Sequence, residues 1–452
     1  MIKETIEKQS LDELLSREKF ICECGRTHTS GKIKVIIEND AISELPNVLN
    51  DKTCKKPFII SGKNTFNAVG NKIINVLEKA QIAYSAFVYE KSPVTPTEET
   101  LGRALMHYDF SCDSIIAVGS GVINDTAKFL AKATNNELIL VATAASMDGF
   151  LSATSSMDRD ALKVSIPTDF AHTIIGDLDV LSECPSCLLQ AGIGDMIAKY
   201  VSLVEWRVSH LITGEYYCPI IDTMVETARD KVVKAAEELN LKDKNAVKQI
   251  MEGLIIAGLA MNYAGVSRPA SGMEHYFSHI WDMRSLAFPD AKHDLHGIQC
   301  GMGTLISLKV WEYIRTIKPD REKAISYAES FDRDKWFDVL REFIGPGAEQ
   351  MITGELNENK YDVDKHKHRL NTIIGNWDEI VKIASTLPKY EDVLALLERI
   401  GAPISPEEIG YDGEQLILCF KVTKDIRDKY IGTRLLWDLG ELDEAANYIF
   451  RC

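Results

Sequence analysis

The sequence predicts an α/β protein, with a parallel sheet built from βαβ units in residues 1–184 and a mainly helical region in residues 185–452. Three observations carry this. From about residue 57, short apolar runs alternate with segments of helical period, the rhythm of strands joined by crossover helices. Those runs are continuously apolar, as expected of strands covered on both faces of a parallel sheet. Beyond Pro185 few strand candidates remain, and apolar residues recur at helical spacing.

Taken in order, PFIIS (57–61), SAFVYE (85–90), SIIAVGS (114–120) and LILVAT (138–143) read as strands. Helices are expected over 64–80, 97–108 and 122–133, and in the second region over 230–238 and 245–263. The polar stretch GPGAEQMITGELNENKYDVDKHKHRLN (345–371) reads as a surface loop. The chain carries no internal repeat or low-complexity tract.

At 452 residues the chain is too long for one small fold, so two or more packed units are expected. Its 45% hydrophobic and 26% charged content is ordinary for globular proteins. No run approaches the roughly 18 consecutive apolar residues of a membrane span, so no membrane insertion is expected. The charged amino terminus lacks the apolar core of a secretory signal, which makes a cytoplasmic location the expectation. A net charge of −16 argues against nucleic acid or an anionic membrane surface as partner. The ten cysteines are scattered and read mostly as reduced packing residues.

In IIAVGSGVINDTAKFLA, Gly119, Ser120 and Gly121 stand between an apolar strand and a helix. Glycines there let backbone N–H groups approach a pyrophosphate at the helix N-terminus. Asn124 occupies the third glycine position of the usual dinucleotide pattern, so the residues alone leave a plain strand-to-helix turn and a cofactor turn both open.

Asp195 in AGIGDMIAKY, His275 in RPASGMEHYFSH and His296 in DLHGIQCGMGT fall at or near the starts of expected helices. Two imidazoles and a carboxylate suit a catalytic divalent cation with open positions for substrate or water. Capping and helix-terminal roles account for the same residue types. His279 lies one turn after His275, and His293 three residues before His296. Tyr276 stands where the metalloprotease pattern needs Glu, which argues against that chemistry; His279 reads as a helix-face or pocket residue.

Read together and in order, these segments resemble the iron-containing alcohol dehydrogenase and dehydroquinate synthase-like superfamily, and within it the glycerol-1-phosphate dehydrogenases. GSGVINDTAK is similar to the family's pyrophosphate turn, TAASMDGFLSATSS to its nicotinamide and substrate segment, and AGIGDMIAKY, SGMEHYFSH and LHGIQCGMGT to its metal segments. FICECGRTH and IRDKYIGTRLLWDLGEL resemble the bacterial AraM-type branch and extend the likeness over nearly the whole chain. The resemblance implies a Rossmann-like dinucleotide-binding domain (1–184) and an all-helical metal- and substrate-binding domain (185–452), with cofactor and metal in the cleft between them. It implies NAD or NADP, one divalent metal (zinc, nickel or iron), and metal-assisted reduction of dihydroxyacetone phosphate to sn-glycerol 1-phosphate. A cation stabilises the developing alkoxide more than the ketone, which is the physical basis of such a reaction.

Carried onto this chain, the resemblance assigns Gly119, Ser120, Gly121, Asp125, Thr143, Ser146 and Ser152 to the cofactor, Asp148 to the substrate, and Asp195, His275 and His296 to the metal. Asp148 and His275 are the expected catalytic residues. Arg268 and Lys163 are the cations chosen for the substrate phosphate, from among four that also include Arg159 and Lys292. The acid that many relatives place after the first strand to hold the adenosine ribose is missing from IISGKNTF, and Lys63 stands ready for a 2′-phosphate. A homo-oligomer, dimer or larger, is expected by analogy. Cys22, Cys24 and His28 fall short of a structural zinc pattern and read as a tight turn at Gly25, while Cys184 and Cys187 read as structural. The rival activities are a glycerol or polyol dehydrogenase, a dehydroquinate synthase-like lyase, and a catalytically silent binding protein.

Overall fold

A computed structural model describes residues 9–17, 19–159, 162–238 and 240–450. The first eight residues, part of the stretch read for a signal, lie outside these. The chain forms two compact units, one of Met1–Met196 with Thr223–Val266 and one of Ile197–Asp222 with Ser267–Cys452.

The first unit holds a six-stranded sheet. In chain order the strands of this unit are β1 (Lys19–Ile21), β2 (Thr27–Thr29), β3 (Lys34–Glu38), β4 (Pro57–Gly62), β5 (Ser85–Tyr89), β6 (Ser114–Gly119), β7 (Glu137–Ala142), β8 (Thr154–Arg159), β9 (Leu162–Pro167) and β10 (Thr173–Asp177). The sheet order is β3-β10-β7-β6-β4-β5, every pair parallel, while β1–β2 and β8–β9 are separate antiparallel hairpins. All residues of β4 and β6 are buried, as their continuous apolar runs require.

The reading from sequence missed β3, β10 and the β8–β9 hairpin. β3 is a partly exposed edge strand, and β10 is five residues with only two consecutive isoleucines, so neither has a long apolar run. From β4 the chain moves outward to β5 and returns to β6 on the other side of β4. Such a switch opens a crevice beyond the carboxyl ends of the two strands, where Gly62 and Gly119 lie. Helix Lys244–Ala264 packs on residues 149–151 and on Leu178–Leu181, so this helix belongs to the same compact unit as the sheet.

The second unit is helical, with Trp206, Trp281, Trp311 and Trp437 fully buried in its core. Helices Met273–Ala287 and His296–Ile314 pack directly on each other. Residues 345–371, expected as a loop, instead form a short 3-10 turn and the helices Ala348–Glu358 and Val363–Gly375. Asp362 caps the second helix by accepting from the Lys365 N–H, and Met351, Ile352, His366, Leu370 and Ile373 bury one narrow side of each. So thin an apolar stripe is hidden by the polar composition around it. The run Ser186–Thr213 is long and apolar enough to cross a membrane, but 78% of its apolar window is buried, as in a core helix.

Candidate active site

The glycine turn sits at the end of β6, and helix Gly121–Thr134 begins at its second glycine. A Cβ on Gly119 would come 2.7 Å from Ile123, so this glycine lets strand and helix pack closely; a Cβ on Gly121 would meet nothing within 4 Å. Open space at a helix N-terminus beside a sheet switch point fits a pyrophosphate. Ser120 makes no side-chain cap bond, and the buried Asn124 Oδ1 has no partner among the described residues. Thr143 donates its N–H to the Gly119 carbonyl at 3.1 Å, which holds the end of β7 beside the turn. Asp125 is engaged otherwise: its carboxylate pairs with the buried Lys128 at 2.7 Å and accepts from the Ser156 N–H at 3.2 Å. Ser152 bonds Thr154 at 3.0 Å, and Ser146 is buried.

Asp148 and Asp195 come together in the first unit, where the Asp148 N–H donates to Asp195 Oδ2 at 2.8 Å. Both are buried. Two glycines allow this. A Cβ on Gly192 would lie 2.1 Å from the Ala145 carbonyl oxygen, and one on Gly258 would lie 2.7 Å from that of Asp148. The helices carrying them press directly on the 145–151 segment. Asp195 stands near the carboxyl end of helix Ser186–Ile197, not near a helix start as expected. Gly192 of AGIGD is helical and serves this close packing.

In the second unit His275 is the third residue of its helix and His296 the first of the next. Their ligand atoms and Cys300 Sγ lie within 4.8 Å of one another, with ring centroids 5.1 Å apart. His275 Nδ1 is 2.9 Å from Glu274 Oε1. His296 Nδ1 is 3.0 Å from Ser278 Oγ, whose hydroxyl donates to Gln299 Oε1 at 2.8 Å. A carboxylate, and a hydroxyl oxygen whose proton is already given away, can only accept here. Both imidazoles therefore carry a proton on Nδ1 and, in the neutral form, present the Nε2 lone pair, the tautomer that metal-binding histidines adopt.

Burial alone raises the Cys300 thiol, but the adjacent imidazoles of His275 and His296 outweigh it and bring its pKa below the usual thiol value. His279 is outside this donor group; burial, then the Arg427 guanidinium, push its pKa well below the usual imidazole value, and its ring lies 6.4 Å from that of His296. His293 pairs with Asp282 at 3.2 Å.

The reading from sequence also missed Glu205. It accepts from the N–H groups of Met273 at 2.9 Å and Gly432 at 2.8 Å, and so fixes the start of the His275 helix. Burial, reinforced by Glu274, raises its pKa to about 8. Nothing in its local sequence, LVEWRV, marks it, because its partners lie 68 and 227 residues away. Arg268 is buried and bonded to Glu215 at 3.1 Å and to the carbonyls of Glu205 and Tyr430; its Nη1 is buried without a partner among the described residues. Lys429 lies beside this group, donating to Ser267 Oγ and the Ser271 carbonyl. Burial, then Arg268, lower its pKa to about 7. Lys163 sits across the β8–β9 hairpin from Asp158.

Residues 36–185 match the family described as iron-containing alcohol dehydrogenase. The crystal structure of a glycerol dehydrogenase from Schizosaccharomyces pombe superposes with a TM-score of 0.57 at 16% identity, covering 92% of this chain and 90% of that one. That of sulfoacetaldehyde reductase from Bifidobacterium kashiwanohense, in complex with NAD+, gives 0.59 at 15%, covering 92% and 97%. The matched residues hold most of the sheet and the glycine turn, and the fold is that of the iron-containing alcohol dehydrogenases, a family of oxidoreductases. Relatives named glycerol-1-phosphate dehydrogenase (NAD(P)+) are 27% identical in Bacillus licheniformis, over 93% of each chain, and 34% identical in Methanocorpusculum labreanum, over 62% of this chain and 77% of that one. The chain belongs to the glycerol-1-phosphate dehydrogenase family.

Proposed function

We propose that this protein reduces dihydroxyacetone phosphate to sn-glycerol 1-phosphate with NADH or NADPH, with Asp195, His275 and His296 holding a divalent cation. The observation that carries the reading is the histidine pair, both rings tied at Nδ1 and both presenting Nε2; family membership supplies the substrate. A cation there would polarise the ketone and favour the alkoxide form of the product. The nicotinamide cofactor would supply the hydride, its pyrophosphate on Gly119, Ser120 and Gly121, with Thr143, Ser146 and Ser152 along its length. Asp125 supports that segment through Lys128.

Asp148 is the substrate-contacting catalytic residue, oriented by its backbone bond to Asp195. Glu274 and Ser278 position the two imidazoles. The unpartnered Nη1 of Arg268 is the donor best suited to the phosphate, with Lys429 beside it and Lys163 as the cation of the cofactor-binding unit. Lys63, exposed at the end of β4, allows NADPH as well as NADH. In function, residues 1–184 serve the cofactor and 185–452 the metal and substrate. The protein works in the cytoplasm as a dimer or larger homo-oligomer.

The test is oxidation of NADH and of NADPH with dihydroxyacetone phosphate, with free dihydroxyacetone as control and the product's handedness determined. Turnover that requires the phosphate and yields the sn-1 isomer is expected. Equal rates on the free ketone would make it a polyol dehydrogenase, and no net cofactor oxidation would favour a lyase.

A further inference from the structure

We propose that Cys22, Cys24 and His28 bind a zinc ion, at a site separate from the proposed catalytic metal. By sequence the trio is an incomplete pattern; folded, it converges. Their donor atoms lie within 4.8 Å of one another, and Cys24 Sγ is 3.3 Å from His28 Nε2. Around a tetrahedral zinc, with Zn–S about 2.3 Å and Zn–N about 2.0 Å, a sulfur and a nitrogen ligand stand about 3.5 Å apart. The cysteine and histidine are therefore already at ligand spacing.

The histidine is also in the binding tautomer. His28 Nδ1 is 2.8 Å from the Tyr263 carbonyl oxygen. A carbonyl only accepts, so Nδ1 carries the proton and Nε2 turns its lone pair to the thiols. A backbone carbonyl behind the far ring nitrogen is the support that zinc-bound histidines usually have. His28 and Cys22 are buried, and Cys24 is partly exposed.

The backbone closes around the same point. Cys22 to Arg26 form the turn between β1 and β2, with Gly25 at φ +83 donating its N–H to the Cys22 carbonyl at 3.1 Å. The Cys24 N–H points at Cys22 Sγ, 3.5 Å away, and an N–H aimed at sulfur favours the thiolate, the form that binds metal. Two cysteines and one histidine are an established protein set for zinc, with the fourth position left to water or another donor. The site also has work to do in the fold. β1 and β2 are three residues each, and so short a hairpin is marginal alone. Zinc would clip it shut, and the His28 bond to Tyr263 ties it to helix Lys244–Ala264.

The experiment loads the full-length Cys300→Ser protein with cobalt, so that any thiolate-to-cobalt charge-transfer band reports on thiols other than the one beside the catalytic histidines. Zinc per chain is counted in parallel for wild type, Cys24→Ser and His28→Ala. The expected result is a charge-transfer band in Cys300→Ser, lost on adding Cys24→Ser, and one equivalent less zinc in each of the two single variants than in wild type. No band in Cys300→Ser, which keeps the hairpin untouched, would overturn the proposal. So would zinc content in folded Cys24→Ser and His28→Ala equal to that of wild type.

Discussion

At the scale of single residues, the proposed metal site depends on groups that would not touch the metal. Ser278 donates to Gln299 and accepts from His296, so Ser278→Ala leaves that imidazole free to turn and to change tautomer. Losing such a supporting bond costs about 10–100-fold in metal affinity. Metal titration of Ser278→Ala should show a loss of that size with the fold intact by circular dichroism; unchanged affinity would mean that Ser278 does not orient the ligand. Asp195, His275, His296 and the glycine turn stood out in sequence because each sits in a short motif. Glu205, Ser278 and Gln299 were not, since hydrogen bonds between distant segments leave no local pattern. Arg268 was legible as a cation, but not as one already bound to Glu215 and two carbonyls.

At the scale of elements, the placement of Asp195 follows from how closely helix Ser186–Ile197 lies on the 145–148 segment. Gly192→Ala would put a methyl 2.1 Å from the Ala145 carbonyl, and backbone cannot yield as a flexible side chain would. Overpacking of this kind costs about 1–3 kcal/mol, and the displaced helix would carry Asp195 away from the Asp148 N–H. Denaturant unfolding of Gly192→Ala should show that loss, together with weaker metal binding. The second unit holds its own buried pair: Lys424 and Asp425 meet at 2.7 Å, both fully buried, with the ammonium 3.7 Å from the Trp336 ring centroid. Burial lowers the Lys424 pKa to about 8 despite Asp425. Asp425→Asn strands a buried cation, and breaking such a pair costs about 3–5 kcal/mol; an unfolding free energy within 1 kcal/mol of wild type, on the same order-of-magnitude scale, would contradict this. Strands 57–61, 85–90 and 114–119 and the intervening helices were legible because long apolar runs and helical period coincide there. β3, β10 and the 348–375 helices were not, because edge strands and thin apolar stripes carry little periodic signal.

At the scale of the whole molecule, acid stability rests on buried carboxylates. Burial raises the pKa of Asp438, but Arg369 and Arg434 outweigh it and bring it below the ordinary value of 3.8, and Lys424 does the same for Asp425. A carboxylate lowered in the folded state binds fewer protons there than when unfolded. Its stabilisation is complete above about pH 3.8 and is lost as pH falls through the folded value. Unfolding free energy should therefore drop as pH falls below about 4, with a shallower dependence in Asp438→Asn. The parallel sheet and the helical region were both legible in sequence; the way residues 223–266 join the sheet's unit was not, because helical period says nothing about which partner a helix covers. The proposed activity requires that a metal at Asp195, His275 and His296 serve reduction of a phosphorylated ketone. The most direct measurement is NADH oxidation by metal-stripped protein with dihydroxyacetone phosphate, before and after adding nickel, zinc or iron, in wild type and His275→Ala. Activity is expected to vanish on stripping, to return with at least one metal, and not to return in His275→Ala. Full activity without metal, or restoration in His275→Ala equal to wild type, would contradict it.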